Sequence, residues 1–231
     1  MLIKQILVYK FFILEICFLI FMNMNNDLDD LYKLQKTDIK NAGEVLADAF
    51  KADPIWAKFI MDNQIKAQKV NYLFGSPILY ALKYGKAYAS SSNLEGIAAW
   101  FPDSTADMTL WRMIRSGTFK YGSKMGMKAA IKMAKTFRPI EKDRKEHMQN
   151  TSYIYITIIG VKQEYQNRGF GGKILQAIFE EADKTHTPIY LETSTPQNVK
   201  MYEKYGFNIL EKIILPELEL PMWEMKRDPM N

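Results

Sequence analysis

The chain has 231 residues, enough for one sizeable buried core, and its 48% hydrophobic and 25% charged residues are typical of a globular protein, which excludes disordered and fibrous classes. A formal net charge of +5 favours anionic partners in general. The single cysteine, Cys17, allows no disulfide within the chain, and the two histidines are far apart in sequence, so we expect a cytoplasmic location and no metal.

The chain opens with an apolar stretch. Residues 1–23 read MLIKQILVYKFFILEICFLIFMN, and the composition then switches abruptly to MNNDLDD. No small-residue cleavage site follows, and Lys4, Lys10 and Glu15 interrupt the stretch, so it makes a poor signal peptide and a poor membrane span. We expect one of two explanations for this stretch: translation starts further downstream than the given sequence indicates, or the stretch is a membrane anchor. The protein would have a membrane as a partner only if the stretch is an anchor. Residues 24–231 are expected to form a single domain.

The first half of that domain predicts a strand, helices and a hairpin. Residues 31–35 alternate weakly as a strand does, and IKNAGEVLADAF then shows apolar residues at helical spacing. Residues 56–84 predict one or two helices, broken near residues 75–77, which read Gly-Ser-Pro. Residues 86–91 and 96–101 predict two strands joined by a polar turn.

Residues 108–135 carry a basic amphipathic pattern. Basic residues recur at spacings of three to five between apolar ones: Arg112, Arg115, Lys120, Lys124, Lys128, Lys132 and Lys135. This pattern predicts a basic amphipathic helix within a helical insertion of about residues 104–148. We favour a solvated face on a helix that covers the core; the alternatives are a lid over an anionic ligand and a membrane-surface helix.

The last third of the chain predicts a strand, helix, strand, helix unit with parallel strands. A charge-free run, YIYITIIGV, is typical of a buried strand, and a glycine loop separates it from a helix that ends near Lys184. PIYLETS predicts the second strand and NVKMYEKYGF a short helix. Two final strands are predicted at residues 208–215 and 222–226. The crossover between the parallel strands should be right-handed.

The glycine loop, QNRGFGG at residues 166–172, has the composition of a phosphate site. A glycine-rich turn at a helix N-terminus offers unpaired amides and the positive end of the helix dipole, and Arg168 adds a cation. The loop matches neither GxxxxGK[ST] nor GxGxxG, so neither a P-loop nor a dinucleotide fold is supported. A tight turn without a ligand is the alternative.

Two motifs together resemble one family. The pattern Val161-x₄-Gln166-x₂-Gly169-x-Gly171-Gly172 resembles the acyl-CoA-binding motif Q/R-x-x-G-x-G/A of the GNAT superfamily of acetyl-CoA-dependent N-acetyltransferases, and LETSTPQNVKMYEKYGF is similar to its closing segment. The order and separation of the two motifs also agree. Within the superfamily, LETS-x-P-x-N-x-x-x-Tyr and a late Trp-x-Met look most like the puromycin N-acetyltransferase type.

This resemblance implies a fold and a cosubstrate. The fold class would be α/β (α+β): a central mixed, mostly antiparallel sheet of about seven strands, with a splayed parallel pair, helices on both faces and an extra helical insertion. The cosubstrate would be acetyl-CoA, held by Ile159, Gly160, Val161, Gln166, Asn167, Arg168, Gly169, Phe170, Gly171, Gly172 and Asn198. The loop amides would hold the pyrophosphate and the first three residues the pantetheine arm. From charge alone, Lys173 and the basic helix are candidates for the 3′-phosphate.

The resemblance also implies direct transfer of the acetyl group to an amine. Tyr202 occupies the position of the general acid that protonates the leaving thiolate; simple packing of this ring and a role for Tyr205 instead are the alternatives. Glu192, on a buried strand, is the candidate base, with a water chain or a purely structural carboxylate as alternatives. His147 could line the acceptor site. No nucleophile with a base partner is evident and Cys17 lies outside the domain, so no acyl-enzyme is expected.

The identity of the acceptor amine is harder to predict from the sequence than the fold or the cosubstrate. Several aromatic residues could line an acceptor pocket or fill the core: Trp56, Phe59, Tyr72, Phe74, Trp100, Phe101 and Trp111. We expect a primary amine of a small aromatic or hydrophobic molecule, with a peptide N-terminus or a lysine as the second choice. A non-catalytic CoA-binding regulatory protein is an alternative of another class. Nucleic acid is not expected as a partner, and both a monomer and a homodimer stay open.

Overall fold

A seven-stranded sheet organises residues 28–230, the part of the chain that the computed structural model describes. The strands are β1 Tyr32–Lys33, β2 Lys86–Ala89, β3 Gly96–Pro102, β4 Ile154–Val161, β5 Ile189–Thr193, β6 Asn208–Leu215 and β7 Leu220–Arg227. Their order is β1-β2-β3-β4-β5-β7-β6, and every neighbouring pair is antiparallel except β4 with β5. The mixed, mostly antiparallel sheet with one parallel pair is therefore confirmed.

Ten α-helices surround this sheet in the described part of the chain. They are α1 Ile39–Ala49, α2 Pro54–Asp62, α3 Val70–Tyr84, α4 Asp103–Ala106, α5 Leu110–Ser116, α6 Thr118–Gly122, α7 Met127–Thr136, α8 Arg138–His147, α9 Phe170–Lys184 and α10 Pro196–Lys204. Short 3₁₀ turns lie at Leu28–Asp30, Lys36–Asp38, Ala67–Lys69, Ser123–Met125 and Gln163–Tyr165. Helices α4 to α8 all fall between β3 and β4.

The sheet is covered on both faces. Because side chains alternate along a strand, Ile97 and Phe101 of β3 join the core under α1 and α3, while Trp100 joins the core under α9 and α10. All residues of β3 from Gly96 to Phe101 are buried, as expected for a central strand between two helical layers. The predicted helices on both faces are confirmed.

The break in the second helical region lies earlier than predicted. The chain leaves α2 at Asn63, whose side-chain amide donates to the carbonyl of Phe59 at 2.9 Å, and Gln64 then adopts a left-handed φ of +51°. Helix α3 instead continues through Pro77, although proline removes one helical hydrogen bond. Leu73 and Ile78, which flank this position, are buried in the core, so packing outweighs the local cost.

The single basic helix predicted over residues 108–135 is wrong. Glycines at 117 and 126 have φ values of +82° and +129°, which end each helical segment, so the region forms α5, α6 and α7 rather than one rod. Helix α8, which follows directly, lies within the helical insertion predicted at about residues 104–148.

No helix within residues 28–230 is long and apolar enough to cross a membrane. The expectation for residues 1–23 lies outside the described residues. The single-domain assignment of residues 24–231 stays a prediction.

Candidate active site

The parallel strands β4 and β5 separate after a short contact. Their pairing runs only from Ile154 with Ile189 to Ile156 with Leu191. Beyond these pairs β4 continues against β3 alone, and β5 continues against β7 alone. We call the gap between the diverging edges the strand opening. Alternate backbone groups of β4 along it have no strand partner, so an extended ligand can bind there as an added strand would.

A β-bulge changes the direction of the β4 side chains beside the strand opening. Ala99 of β3 pairs with Ile158 and Trp100 pairs with Ile156, so Thr157 is an extra residue on β4. Such a bulge bends the strand and resets the side-chain alternation. Ile156 accordingly packs in the core under α9, whereas Ile158 packs in the core on the opposite face.

The 166–172 loop presents a run of unpaired amides at the strand opening. The amides of residues 167–172 donate to no acceptor within residues 28–230, because α9 begins at Phe170 and its first intrahelical partner is Gly169. Asn167 and Gly169 have left-handed φ values of +61° and +88°, which turn the chain sharply before the helix. Consecutive free amides at the positive end of a helix form an anion site.

The loop is fixed against the end of β4. The side-chain amide of Gln166 donates to the carbonyl of Val161 at 3.1 Å, and its backbone amide donates to the carbonyl of Gln163 at 3.2 Å. The predicted use of the Gln166 backbone amide for pyrophosphate is therefore not supported; its side chain positions the loop. A Cβ on Gly171 would lie 3.2 Å from the Val161 side chain, a contact so tight that this side chain would have to shift.

Of the two basic side chains predicted to bind phosphate near the loop, one is exposed and the other is held by hydrogen bonds. Arg168 is exposed, and its guanidinium lies 5.6 Å from the ring centre of Tyr165. The ammonium of Lys173 instead donates to the carbonyls of Asp30 (2.9 Å) and Ser90 (3.3 Å). Lys173 thus ties α9 to the neighbouring loops and is not a free cation for a 3′-phosphate, contrary to the prediction.

The basic helical region is engaged on another part of the surface. Lys132 and Lys135 of α7 form ion pairs with Glu217 in the β6–β7 turn, and Lys124 lies over the rings of Tyr72 and Tyr121. These contacts support a covering role for the region, the interpretation favoured from the sequence.

Tyr202 and Asn198 lie on α10, next to the end of β5. Tyr202 is buried under α9, with its ring 5.4 Å from that of Phe207, and its hydroxyl has no hydrogen-bond partner within the described residues. Burial raises the pKa of this phenol, so it stays protonated and can donate. The backbone amide of Asn198 donates to the Thr195 hydroxyl at 3.3 Å, and the Asn198 side chain makes no hydrogen bond within the described residues.

Tyr205 also approaches the loop. Its hydroxyl lies 3.2 Å from the position that a Cβ on Gly172 would take. The Tyr205 hydroxyl therefore lies beside the first turn of α9, and Tyr205 stays an alternative to Tyr202 as the general acid.

Glu192 is the first residue of β5 beyond its last pair with β4. Its Oε2 accepts a hydrogen bond of 2.9 Å from the hydroxyl of Tyr155, and its Oε1 is buried without a partner in residues 28–230. Burial raises the pKa of Glu192 to about 7, although the nearby Arg144 opposes the shift. The predicted buried carboxylate is therefore present, and its pKa suits a general base at neutral pH.

Two side chains that frame Glu192 were missed from the sequence. Arg144 of α8 is buried, bonds the Asp107 carboxylate at 2.9 Å and stacks 4.2 Å from the ring centre of Tyr155. Tyr155 had a signal, because it alternates with Ile154 and Ile156 and must face the other side of the sheet. Arg144 had no such signal, because a basic residue in a highly charged helix is expected to lie on the protein surface.

Tyr202 and Glu192 lie on opposite faces of the sheet. Leu191 and Tyr202 share the core under α9, so the next strand residue, Glu192, points to the other face, where Tyr155 and Arg144 lie. The strand opening is the place where groups from both faces can meet. His147, in contrast, contacts Glu211 and Glu224 at 3.0 and 3.4 Å and does not join Glu192.

The end of α1 and the segment between α1 and α2 close over the strand opening. Asp48 accepts a hydrogen bond of 2.7 Å from the amide of Gln163, and Asp53 accepts one from the hydroxyl of Ser194, just past β5. A Cβ on Gly160 would lie 3.2 Å from the ring of Phe50 in this segment. The segment is therefore fixed at both sides of the opening.

Half-buried aromatic rings extend from this segment. The ring of Trp56 lies 6.4 Å from that of Phe50 and 5.2 Å from those of Phe74 and Phe137. Of the other aromatic candidates, Phe59, Trp100 and Phe101 are core residues, Tyr72 packs against Tyr121, and Trp111 is 67% exposed.

Comparison with known proteins agrees with this geometry. A family profile described as "Acetyltransferase (GNAT) domain" matches residues 137–209, which span α8 to the start of β6. Residues 137–209 therefore match a GNAT acetyltransferase domain. This confirms the family resemblance and the assignment as a GNAT-type N-acetyltransferase; the likeness to the puromycin type stays a prediction.

Relatives and solved structures extend the GNAT similarity along the chain. The fission yeast protein "Uncharacterized N-acetyltransferase C550.08" (Schizosaccharomyces pombe) is 26% identical over 203 residues, which cover 85% of this chain and 82% of the relative. "N-alpha-acetyltransferase 50" of Danio rerio is 35% identical over 72 residues, 29% of this chain and 43% of the relative. The crystal structure of arylalkylamine N-acetyltransferase 2 from Aedes aegypti has the same fold, with a TM-score of 0.58 and 12% identity over 86% of this chain and 97% of that one.

Proposed function

We propose that this GNAT enzyme transfers the acetyl group of acetyl-CoA directly to the primary amine of a small molecule, without an acyl-enzyme. The observation that carries the proposal is the position of Glu192, which is a buried carboxylate of raised pKa at the point where β4 and β5 separate. A base there would meet an amine that enters the strand opening beside a thioester.

Acetyl-CoA would be held by two sets of backbone groups. The free amides of residues 167–172, with Arg168 beside them, suit the pyrophosphate because they offer hydrogen bonds and positive potential without a competing carboxylate. The edge of β4 at Ile159, Gly160 and Val161 suits the amides of the pantetheine arm, and the Asn198 side chain is free to add a contact.

Two different side chains would carry out the two proton transfers of the reaction. Glu192, oriented by Tyr155, would take a proton from the attacking amine, directly or through a water chain. Backbone amides near Gly160 would stabilise the negative charge that develops on the thioester oxygen. Tyr202, whose pKa is raised by burial, would protonate the leaving thiolate from the other face.

Half-buried aromatic rings favour an apolar acceptor. Phe50 contacts the position of Gly160, and Trp56 continues the aromatic surface away from the strand opening. A small aromatic or hydrophobic amine would bury its apolar part on these rings and present its nitrogen at Glu192.

A peptide acceptor is the second candidate. The observation in its favour is the 35% identity over 72 residues with a relative named N-alpha-acetyltransferase 50. A peptide would place its N-terminal amine at the same base but extend beyond the aromatic rings.

The decisive test is titration of acetyl-CoA into the full chain by calorimetry, compared with Asn167→Asp. Aspartate tolerates the left-handed φ of +61° at this position, so the variant changes charge beside the cradle with little change in shape. We expect the parent to bind and the variant to bind at least about tenfold more weakly, since one like charge near phosphate costs on the order of 1 kcal/mol or more.

Asn150→Asp is the matched control. Asn150 also has a left-handed φ, +58°, but lies on an exposed turn outside the 166–172 loop, so its variant should bind like the parent. Failure of the folded parent to bind acetyl-CoA would overturn the proposal. Binding without thiol release in an amine screen would instead favour a non-catalytic CoA-binding protein.

A further inference from the structure

Three potential metal ligands from three different elements converge beside α8. His147 is the last residue of α8, Glu211 lies on β6, and Glu224 lies on β7. Glu211 and Glu224 face each other as paired residues of the β6–β7 hairpin. One ligand atom from each of the three side chains lies within 4.8 Å of the other two. His147 is 64 residues from Glu211 in sequence, so the cluster arises only through the fold.

The His147 imidazole makes one contact of hydrogen-bond length and one longer contact within the cluster. His147 Nε2 lies 3.0 Å from Oε2 of Glu211 and 3.4 Å from Oε2 of Glu224. Ligand atoms on a tetrahedral zinc, with bonds of about 2.0–2.2 Å, lie roughly 3.3–3.5 Å apart. The same imidazole nitrogen faces both carboxylates, whereas its single proton can satisfy only one of them well.

Glu224 supplies an independent indication of a missing partner. Its side chain is fully buried, its Oε1 has no hydrogen-bond partner within residues 28–230, and its Oε2 accepts a hydrogen bond of 2.8 Å from the hydroxyl of Tyr190. A buried carboxylate with an unpaired oxygen is costly. The bond from Tyr190 is of the kind that orients a coordinating carboxylate from outside the metal.

We propose that His147, Glu211 and Glu224 form a site for one divalent transition-metal ion, preferentially Zn²⁺. One imidazole and two carboxylates suit zinc better than magnesium or calcium, which prefer all-oxygen ligands. The His147 and Glu211 side chains are 26% and 48% exposed, so an ion can enter from solvent and keep a water ligand. This inference does not depend on acetyl transfer.

The test measures Zn²⁺ affinity of the full chain by competition with a chromophoric chelator. The chain contains two histidines, which provides a matched pair of variants: His147→Asn, and His186→Asn as the control for an exposed histidine outside the cluster. Asparagine also tolerates the left-handed φ of +49° at His186. We expect one Zn²⁺ per chain in the parent and in His186→Asn, and at least about tenfold weaker binding in His147→Asn.

Cobalt substitution gives a second, spectroscopic readout. Co²⁺ in a site of low coordination number absorbs visible light strongly, and the parent should show these bands while His147→Asn and Glu211→Gln lack them. Glu211 is largely exposed, so its variant should fold even if a change at a buried residue does not. Equal Zn²⁺ affinity in His147→Asn and His186→Asn, or binding only at millimolar concentration, would overturn the proposal.

Discussion

The hydroxyl of Tyr155 donates a hydrogen bond of 2.9 Å to the carboxylate of Glu192, and the two residues belong to neighbouring parallel strands. The guanidinium of Arg144 lies over the Tyr155 ring, 4.2 Å from the ring centre. The insertion between β3 and β4 therefore supplies a cation to the environment of the candidate base. Burial raises the pKa of Glu192 to about 7, and Arg144 limits the shift, so the carboxylate is poised to change protonation near neutral pH.

A direct consequence is that acetyl transfer should depend on the ionisation of Glu192. Only the carboxylate can accept a proton, so kcat should rise with pH up to about 7 and then level off. Glu192→Gln should remove this dependence and lower kcat by about 10²- to 10⁴-fold. The assay should use an aromatic amine that is already neutral at pH 6, because the pH profile of kcat then contains no contribution from protonation of the acceptor. Thiol release with saturating acetyl-CoA provides the measurement.

The matched control for this change is Glu203→Gln, which alters an exposed glutamate on α10 and should leave the pH profile unchanged. A Glu192→Gln enzyme that keeps both its rate and its pH profile would show that Glu192 is a structural carboxylate.

The raised pKa of Glu192 should also appear in the stability of the fold. The folded state holds the proton up to about pH 7, whereas the unfolded chain releases it near the ordinary value of 4.5. Between these values the folded state binds more protons, so this group's contribution to stability is lost as pH rises. We expect Glu192→Gln to lose less stability than the parent between pH 5 and pH 8. Urea unfolding at the two pH values measures this difference; an equal loss in both proteins would contradict the raised pKa.

The part of the fold that was predicted from the sequence is the part fixed by local pattern. The charge-free run of β4, the glycine loop and the apolar spacing of α9 each depend on residues close in sequence, and all three elements form where predicted. The prediction of one continuous helix over residues 108–135 failed because glycines 117 and 126 interrupt the amphipathic pattern. The spacing of apolar residues predicts which face of a helix packs against the core, but it does not predict where the backbone turns.

The environment of the candidate site depends on contacts between distant residues. Arg144 comes near Glu192 because its guanidinium packs on the ring of Tyr155, and Glu211 meets Glu224 only through the register of β6 with β7. Such registers follow from the whole sheet and leave no local signature. Glu192 itself was predictable, since a single acid within a buried strand is unusual in any sequence.

The two tyrosines of α10 can be separated by removing one hydroxyl at a time. Tyr202→Phe keeps the buried ring contact with Phe207 but removes the proposed proton donor, so kcat should fall by about 10²-fold or more while acetyl-CoA affinity stays unchanged. Tyr205→Phe should retain most of its activity. Single-turnover measurement of thiol release reports the chemical step. The reverse ranking would assign the acid role to Tyr205, and near-parent rates in both variants would point to protonation by water.

The aromatic segment above the strand opening should determine the acceptor. Trp56→Leu keeps an apolar side chain but loses the ring contacts with Phe50 and Phe137, so KM for an aryl-alkyl amine should rise by roughly tenfold or more while KM for acetyl-CoA stays constant. For a short alkyl amine the change should be small, because it reaches Glu192 without covering the rings. Initial rates with the two amines and an N-terminal peptide provide the comparison. A preference for the peptide that persists in Trp56→Leu would favour the peptide acceptor, because its specificity would then come from contacts beyond this aromatic surface.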